Sequence, residues 1–136
     1  MNRKNFQELA ETRLLDARAL LGAGRYDAAY YLAGYVVECA LKACIAKMTK
    51  RHDFPVRETK DIYSHDLGKL RKTAGLEDAL ARDFQENPKL EVNWSLVKDW
   101  KEDARYQSYG RMKAERMFAA VSDPQHGVLQ CLREYW

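Results

Sequence analysis

The sequence has 136 residues, of which 46% are hydrophobic and 32% are charged. This composition is typical of one folded domain and excludes an intrinsically disordered chain. The 23 basic and 20 acidic residues leave a net charge of only +3, so composition alone does not indicate a nucleic-acid-binding protein. We expect a single domain that spans residues 1–136.

The first helix is predicted where apolar residues recur every three or four positions between Phe6 and Leu21. Asn5 and Glu8 form a capping-box pattern at its start. Glycines in the segment 22–24 end it, because they adopt left-handed backbone conformations at little cost.

The second helix is predicted over about residues 26–48 and at the centre of the fold, because apolar side chains cover most of its circumference. Gly34 is small enough to let a neighbouring helix approach closely. The stretch Ala28–Ala46 is nearly apolar, as a membrane span would be, but it carries Glu38 and Lys42 near its centre, which are costly in lipid. We interpret it as a buried core helix and expect no membrane association.

The middle of the chain predicts a basic loop at Thr49–Asp61 and then two short helices. Ser64 is the predicted cap of the first, which carries Leu67 and Leu70. The second covers Leu76–Gln85 and is closed by Asn87-Pro88.

The last third predicts helices separated by short connections. Helical spacing of Trp94, Val97, Trp100 and Ala104 favours one helix, which the turn-like segment 105–110 follows. Another helix covers about residues 111–121, and Asp123-Pro124 is predicted to restart it. No segment alternates with the period of a strand, so we predict an all-α, up-and-down bundle of about five helices.

Cysteine and histidine residues do not form a complete ligand set for a metal. The three cysteines are odd in number and have no C-x-x-C spacing, which favours free thiols in the cytoplasm. His65-Asp66 resembles half of a metal-dependent phosphohydrolase signature, but the further ligands are missing, so we interpret it as a helix cap. We predict no metal, no cofactor and no secretory signal.

The segment 24–43, GRYDAAYYLAGYVVECALKA, resembles the second helix of bacterial HEPN proteins (higher eukaryotes and prokaryotes nucleotide-binding). His65-Asp66-Leu67 and the segment from Trp100 to Tyr106 agree with this family in order and position. The resemblance spans nearly the whole chain and implies a helical bundle that commonly pairs into a homodimer. Members include RNA-cleaving toxins, often encoded beside small nucleotidyltransferases, and subunits with no demonstrated chemistry.

Nuclease members of this family carry an Arg that is followed, after four to six residues, by a His. The Arg stabilises phosphate charge, and the His moves a proton during attack by a ribose 2′-hydroxyl. Arg105 occupies the place of the Arg, but positions 110–112 hold Gly110, Arg111 and Met112. The resemblance therefore implies that the standard ribonuclease pair is incomplete.

Two candidate catalytic residues remain, Arg105 and Glu38. Glu38 lies in apolar surroundings, where a carboxylate needs a partner. One hypothesis gives it a bidentate pair with Arg105, and the other an i,i+4 pair with Lys42. The candidate ligand-binding residues are Arg105, Tyr106, Tyr109 and Lys42.

We expect a HEPN-type nucleotide- or RNA-associated protein, homodimeric and cytoplasmic. Its expected role is a non-catalytic or accessory subunit of a nucleotidyltransferase-linked or defence-type system. One alternative is a ribonuclease of toxin–antitoxin type with a variant, metal-independent site around Arg105. The other is a structural protein-interaction module. The sequence leaves open whether the chain is an enzyme.

Overall fold

The computed structural model of the protein describes residues 1–52 and 62–136, apart from the side chains of Lys50, Arg51, His52 and Arg105. Within these residues the chain forms seven α-helices, one 3-10 helix and no strand. The all-α fold class is confirmed, with two helices more than expected. The α-helices are α1 (Arg3–Gly22), α2 (Tyr26–His52), α3 (Leu67–Thr73), α4 (Glu77–Glu86), α5 (Pro88–Val97), α6 (Arg111–Ser122) and α7 (Val128–Arg133), and the 3-10 helix is Glu102–Tyr106.

Helix α2 is the central element of the bundle. It packs against α1, α3, α6, α7 and the 3-10 helix, and every residue from Val36 to Ile45 is buried. By length and composition it is the one helix in the described part of the chain that could cross a membrane, but 78% of its most apolar stretch is buried inside the fold. This burial agrees with a core helix, as the sequence predicts.

Gly34 and Trp100 make the closest contact between α2 and a neighbouring segment. A Cβ atom at Gly34 would lie 2.2 Å from Cδ1 of Trp100, so the indole lies directly against the backbone of α2. Trp100 is only 2% exposed, and the ring of Tyr31 flanks it at 5.8 Å between centroids. Glycine at position 34 is therefore a packing requirement.

The prediction of one helix from Trp94 to Ala104 is wrong. Helix α5 ends at Val97, and the N–H of Trp100 donates to the carbonyl of Val97 in a turn. The chain leaves the helix there and directs the indole towards Gly34. Ala104 belongs to the separate 3-10 helix, where it is buried.

Two helix caps lie a few residues from the predicted positions. Asn2, rather than Asn5, caps α1, and each of these two side chains accepts the backbone N–H of the other. Asp66, rather than Ser64, caps α3 by accepting the N–H of Lys69 at 2.9 Å. Ser64 instead accepts the N–H of Asp66, which fixes the connection before α3.

Asp123 does not restart a helix. Its carboxylate accepts the N–H groups of Gln125 and His126, both at 2.8 Å, and these two bonds lower its pKa. Helix α7 begins only at Val128. A Cβ at Gly127 would lie 2.4 Å from the carbonyl oxygen of Asp123, so this tight turn requires glycine at position 127.

We predict that Gly34→Ala lowers the free energy of unfolding by about 1–3 kcal/mol, because the added methyl group overpacks the rigid contact with Trp100. Chemical denaturation followed by circular dichroism measures this change. Gly22→Ala is the matched control, since a Cβ there meets no atom within 4 Å. Equal midpoints for Gly34→Ala and the wild type would show that the contact is not restrictive.

Candidate functional site

The candidate site is built on Glu38, in the middle of α2. Glu38 is 2% exposed, and its Oε2 accepts a hydrogen bond from Nζ of Lys42 at 3.2 Å. Lys42 is itself 8% exposed, so this is a buried ion pair on one helix face. The i,i+4 pair is therefore present.

His65 is a second partner of Glu38. Its Nδ1 lies 2.8 Å from Oε1 of Glu38, the carboxylate oxygen that Lys42 does not occupy. The sequence interpretation of His65-Asp66 as a helix cap holds for Asp66 only. Because His65 precedes the cap, its side chain is free of the helix and reaches α2.

The other nitrogen of His65 connects α2 to the 3-10 helix. Nε2 lies 3.4 Å from Oε2 of Glu102, the first residue of that helix. The imidazole side chain is 42% exposed, so one edge faces solvent while the carboxylate of Glu38 beneath it is buried. We call Glu38, Lys42, His65 and Glu102 the His65 cluster.

Arg105 belongs to the same 3-10 helix, three residues after Glu102. Such a spacing corresponds to one turn of a 3-10 helix. The side chain of Arg105 lies outside the described part of the chain. The predicted pair of Arg105 with Glu38 therefore stays a prediction.

Glu38 orients the ring of His65 so that Nε2 faces Glu102. When Nδ1–H donates to Glu38, a neutral imidazole keeps its lone pair on Nε2, and an imidazolium donates Nε2–H to Glu102. Glu38 thus fixes both the tautomer and the ring orientation, which is the role of the carboxylate in histidine-based catalytic sites.

Neighbouring groups on α2 cannot exchange protons near neutral pH. Burial raises the pKa of the Tyr35 phenol to about 12 and that of the Cys39 thiol to about 12. Burial has the same effect on the thiols of Cys44, further along α2, and of Cys131, on α7, each of which has its pKa raised to about 12.

Tyr109 is held against the start of α2. Its ring stacks on Tyr30 with 3.9 Å between centroids, and its backbone N–H donates to the carboxylate of Asp27. The ammonium of Lys113 lies over the Tyr109 ring at 4.7 Å. Burial raises the pKa of Tyr109, so its phenol stays neutral and can act only through stacking or hydrogen bonding.

Tyr106 lies at the end of the 3-10 helix and is 76% exposed. Positions 110–112, where the family motif would place a histidine, follow Tyr106 in the sequence. Gly110 caps α6, and Arg111 and Met112 are its first two residues, both exposed. None of these three positions holds a histidine.

Lys42 has a different environment from Tyr106 and Tyr109. Its ammonium is bound to Glu38 inside the fold, so it acts as a counter-charge in this structure.

Among the described residues, no group of three or more His, Cys, Asp or Glu side chains is placed to hold a metal ion.

The architecture defines the class of protein. It is an all-α domain built around one buried helix, and that helix carries a cluster of ionisable side chains. The sequence profile of the HEPN domain matches residues 5–122, and the chain belongs to the HEPN family. This membership supports a nucleotide- or RNA-associated function at the level of the family. No significant match was found to a curated protein or to a solved structure.

We predict that Glu38→Gln lowers the free energy of unfolding by about 3–5 kcal/mol, because it leaves Lys42 buried without a counter-charge. Adding Lys42→Met should recover part of this loss and give a coupling energy above about 1 kcal/mol in chemical denaturation. The exposed pair of Lys4 and Glu8, with Nζ and Oε1 3.8 Å apart, is the matched control. Its coupling should stay below about 0.5 kcal/mol.

The same design tests the predicted pair of Glu38 with Arg105. Arg105→Met is combined with Glu38→Gln in a second double-mutant cycle. A coupling below about 0.5 kcal/mol would mean that these two residues do not interact. Glu38 would then be stabilised by Lys42 and His65 alone.

Proposed function

We propose that this chain is a HEPN-type protein that binds RNA or nucleotides through the segment 101–113. The observation that carries this proposal is the exposed ring of Tyr106 among exposed cations of the same segment, Lys101, Arg111 and Lys113. A base stacks on an exposed aromatic ring, and its phosphates are attracted by neighbouring cations. Arg105, at the motif position, and the stacked Tyr109 complete the proposed binding set.

The absence of a histidine at positions 110–112 supports an accessory role for the chain. Arg111 pairs with Glu115 at 2.7 Å, and Met112 carries no proton to exchange, so neither substitutes for the motif histidine. We infer a cytoplasmic subunit that works beside a nucleotidyltransferase or within a defence-type system. This inference extends the family-level function and rests on the incomplete motif.

A ribonuclease with a variant site around Arg105 is the second candidate function. The specific observation in its favour is His65, which contacts Glu102 on the 3-10 helix that contains Arg105. In this candidate function, the chain would be the toxin of a toxin–antitoxin pair.

We also propose a homodimer that forms through α5 and α6. These helices pack against each other and expose three large apolar side chains, Val92, Leu96 and Met112. A groove of about 420 Å³ beside them is lined by Leu96, Met112 and Met117 on its apolar side. Exposed apolar side chains that cluster in this way are typical of an interface between protein chains.

We predict that wild-type protein binds a fluorescently labelled single-stranded RNA of mixed sequence, measured by anisotropy at fixed salt concentration. Tyr106→Ala should weaken binding about tenfold or more, because one stacked base is worth about 1–3 kcal/mol. Arg111→Ala should also weaken RNA binding, and it should reduce the dependence of binding on salt concentration. Arg82→Ala, an exposed cation on α4, is the matched control.

Two outcomes would contradict this proposal. Absence of RNA and nucleotide binding at micromolar protein concentration would remove the proposed function. Equal losses for Arg82→Ala and Arg111→Ala would mean that binding is not located at the segment 101–113.

We predict a dimer mass for the wild type in light scattering at micromolar concentration. Leu96→Asp combined with Met112→Asp should give a monomer, because two charges would lose their water in the interface. Leu15→Asp is the control, since Leu15 is 62% exposed but lies on α1. A monomer mass for the wild type would contradict the proposed homodimer.

A further inference from the structure

A cavity opens at the stacked rings of Tyr30 and Tyr109, next to the proposed binding segment. Its volume of about 400 Å³ lies in the range of roughly 300–1,000 Å³ that is typical of small-molecule sites. We call this space the Tyr109 cavity. Charged side chains of both signs line it, namely Asp99, Asp103, Lys101 and Lys113. It therefore combines an aromatic surface with hydrogen-bonding groups, as the recognition of an unpaired nucleobase requires.

The ammonium of Lys113 does not block the face of Tyr109 that points away from Tyr30. Its Nζ lies 4.7 Å from the centre of the Tyr109 ring and 5.5 Å from that of Tyr30, and the two ring centres are 3.9 Å apart. An ammonium centred over the outer face of Tyr109 would lie much farther from Tyr30. Lys113 thus leaves this face available for stacking and is close enough to contact the edge of a stacked base.

Asp99 and Asp103 each lie near one ring of the stack. Burial raises the pKa of Tyr30, and electrostatic interactions with Tyr109 and Asp99 raise it further. Burial is also the first cause of the raised pKa of Tyr109, and interaction with Asp103 is the next. Both carboxylates are exposed, and among the described residues neither takes part in a hydrogen bond or an ion pair. Their oxygens are therefore available as acceptors for a ligand in the cavity.

These carboxylates are unfavourable on a surface that only attracts phosphates. Asp99 and Asp103 repel the RNA backbone and offset the attraction that Lys101 and Lys113 exert on it. They are useful where they contact the edge of a base, because contacts to bases carry sequence information and contacts to phosphates do not. The charge pattern of the cavity thus favours base recognition over backbone binding alone.

Guanine is the base whose edge matches this charge pattern. Its Watson–Crick edge carries two adjacent donors, N1–H and the N2 amino group, which fit the two oxygens of one carboxylate. Its O6 atom accepts a hydrogen bond from an ammonium. Adenine and cytosine place a single amino group next to a ring acceptor on this edge, and uracil places a single N–H between two carbonyl oxygens. None of these three bases offers a carboxylate two donor atoms side by side.

We propose that the Tyr109 cavity is a guanine-binding subsite and that Asp99 and Asp103 determine its base specificity. This inference rests on the proposed RNA binding and names the base that the site prefers. Guanine stacks on Tyr109, donates N1–H and N2–H to the carboxylate of Asp103, and accepts at O6 from Lys113. Asp99, near Tyr30, adds a second acceptor to the cavity.

The first test uses the wild-type protein and compares RNAs. Fluorescence anisotropy at fixed salt concentration measures the binding of labelled oligouridine that carries guanine, adenine, cytosine, uracil or hypoxanthine at one central position. The guanine RNA should bind about tenfold more tightly than the adenine, cytosine and uracil RNAs, which is a typical discrimination for one bidentate contact to a base. Hypoxanthine lacks only the N2 amino group of guanine, so its RNA should lose most of this advantage.

The second test changes the carboxylates. Asp99→Asn combined with Asp103→Asn should bind the guanine RNA no more tightly than the uracil RNA. Its affinity for the uracil RNA should stay equal or rise, because two charges that repel phosphate are removed. Asp78→Asn combined with Glu86→Gln is the matched control. It removes the same charge from exposed positions on α4 and should keep the preference for guanine.

The outcomes separate this inference from the proposed function. Wild-type protein that binds all of these RNAs equally would overturn the inference and leave RNA binding in place. A preference for guanine that survives Asp99→Asn combined with Asp103→Asn would also overturn it, as would equal binding of the guanine and hypoxanthine RNAs. The comparison with hypoxanthine uses the wild type and so does not depend on the folding of a variant. If the wild type binds none of these RNAs, the proposed function itself fails.

Discussion

Helix α2 is enclosed by other helices along most of its length, and this enclosure constrains every polar group on it. Water cannot solvate a carboxylate at position 38, so Glu38 requires partners from the protein itself. Lys42, one turn later, provides a positive charge, and His65 provides a second hydrogen bond. The position of His65 is therefore a consequence of how the core is built.

The contact between Gly34 and Trp100 places the remaining part of the site. Gly34 and Glu38 are four residues apart and thus share a face of α2. Trp100 packs against Gly34, which brings the following 3-10 helix over the same face, where Glu102 meets His65. The contact between Gly34 and Trp100 thereby positions both the 3-10 helix that contains Arg105 and Glu102, the partner of His65 at the surface.

The sequence predicts the local features of this structure well. The extent and burial of α2 follow from its apolar circumference, and the pair of Glu38 with Lys42 follows from helical spacing. Family membership likewise follows from the segment 24–43. These features depend on residues within one or two helical turns of each other.

Features that depend on distant residues could not be predicted in this way. His65 lies 27 positions after Glu38, and no periodicity relates the two. Trp100 continues the spacing of Trp94 and Val97, although tertiary packing against Gly34 takes it out of their helix. The sequence contains one signal for His65, which is its position directly before the helix cap Asp66. A residue that precedes the cap lies outside the helix, so its side chain does not have to follow the helical repeat.

A catalytic histidine is defined by what surrounds its two nitrogens rather than by its distance in sequence from an arginine. At positions 110–112 a histidine would lie at the exposed start of α6. At position 65 it has a buried carboxylate on one nitrogen and access to solvent on its other side. Tyr35 and Cys39 next to Glu38 retain their protons at neutral pH because burial raises the pKa of each to about 12. The His65 cluster thus holds one imidazole between a buried and a surface carboxylate, beside the helix that contains the motif arginine.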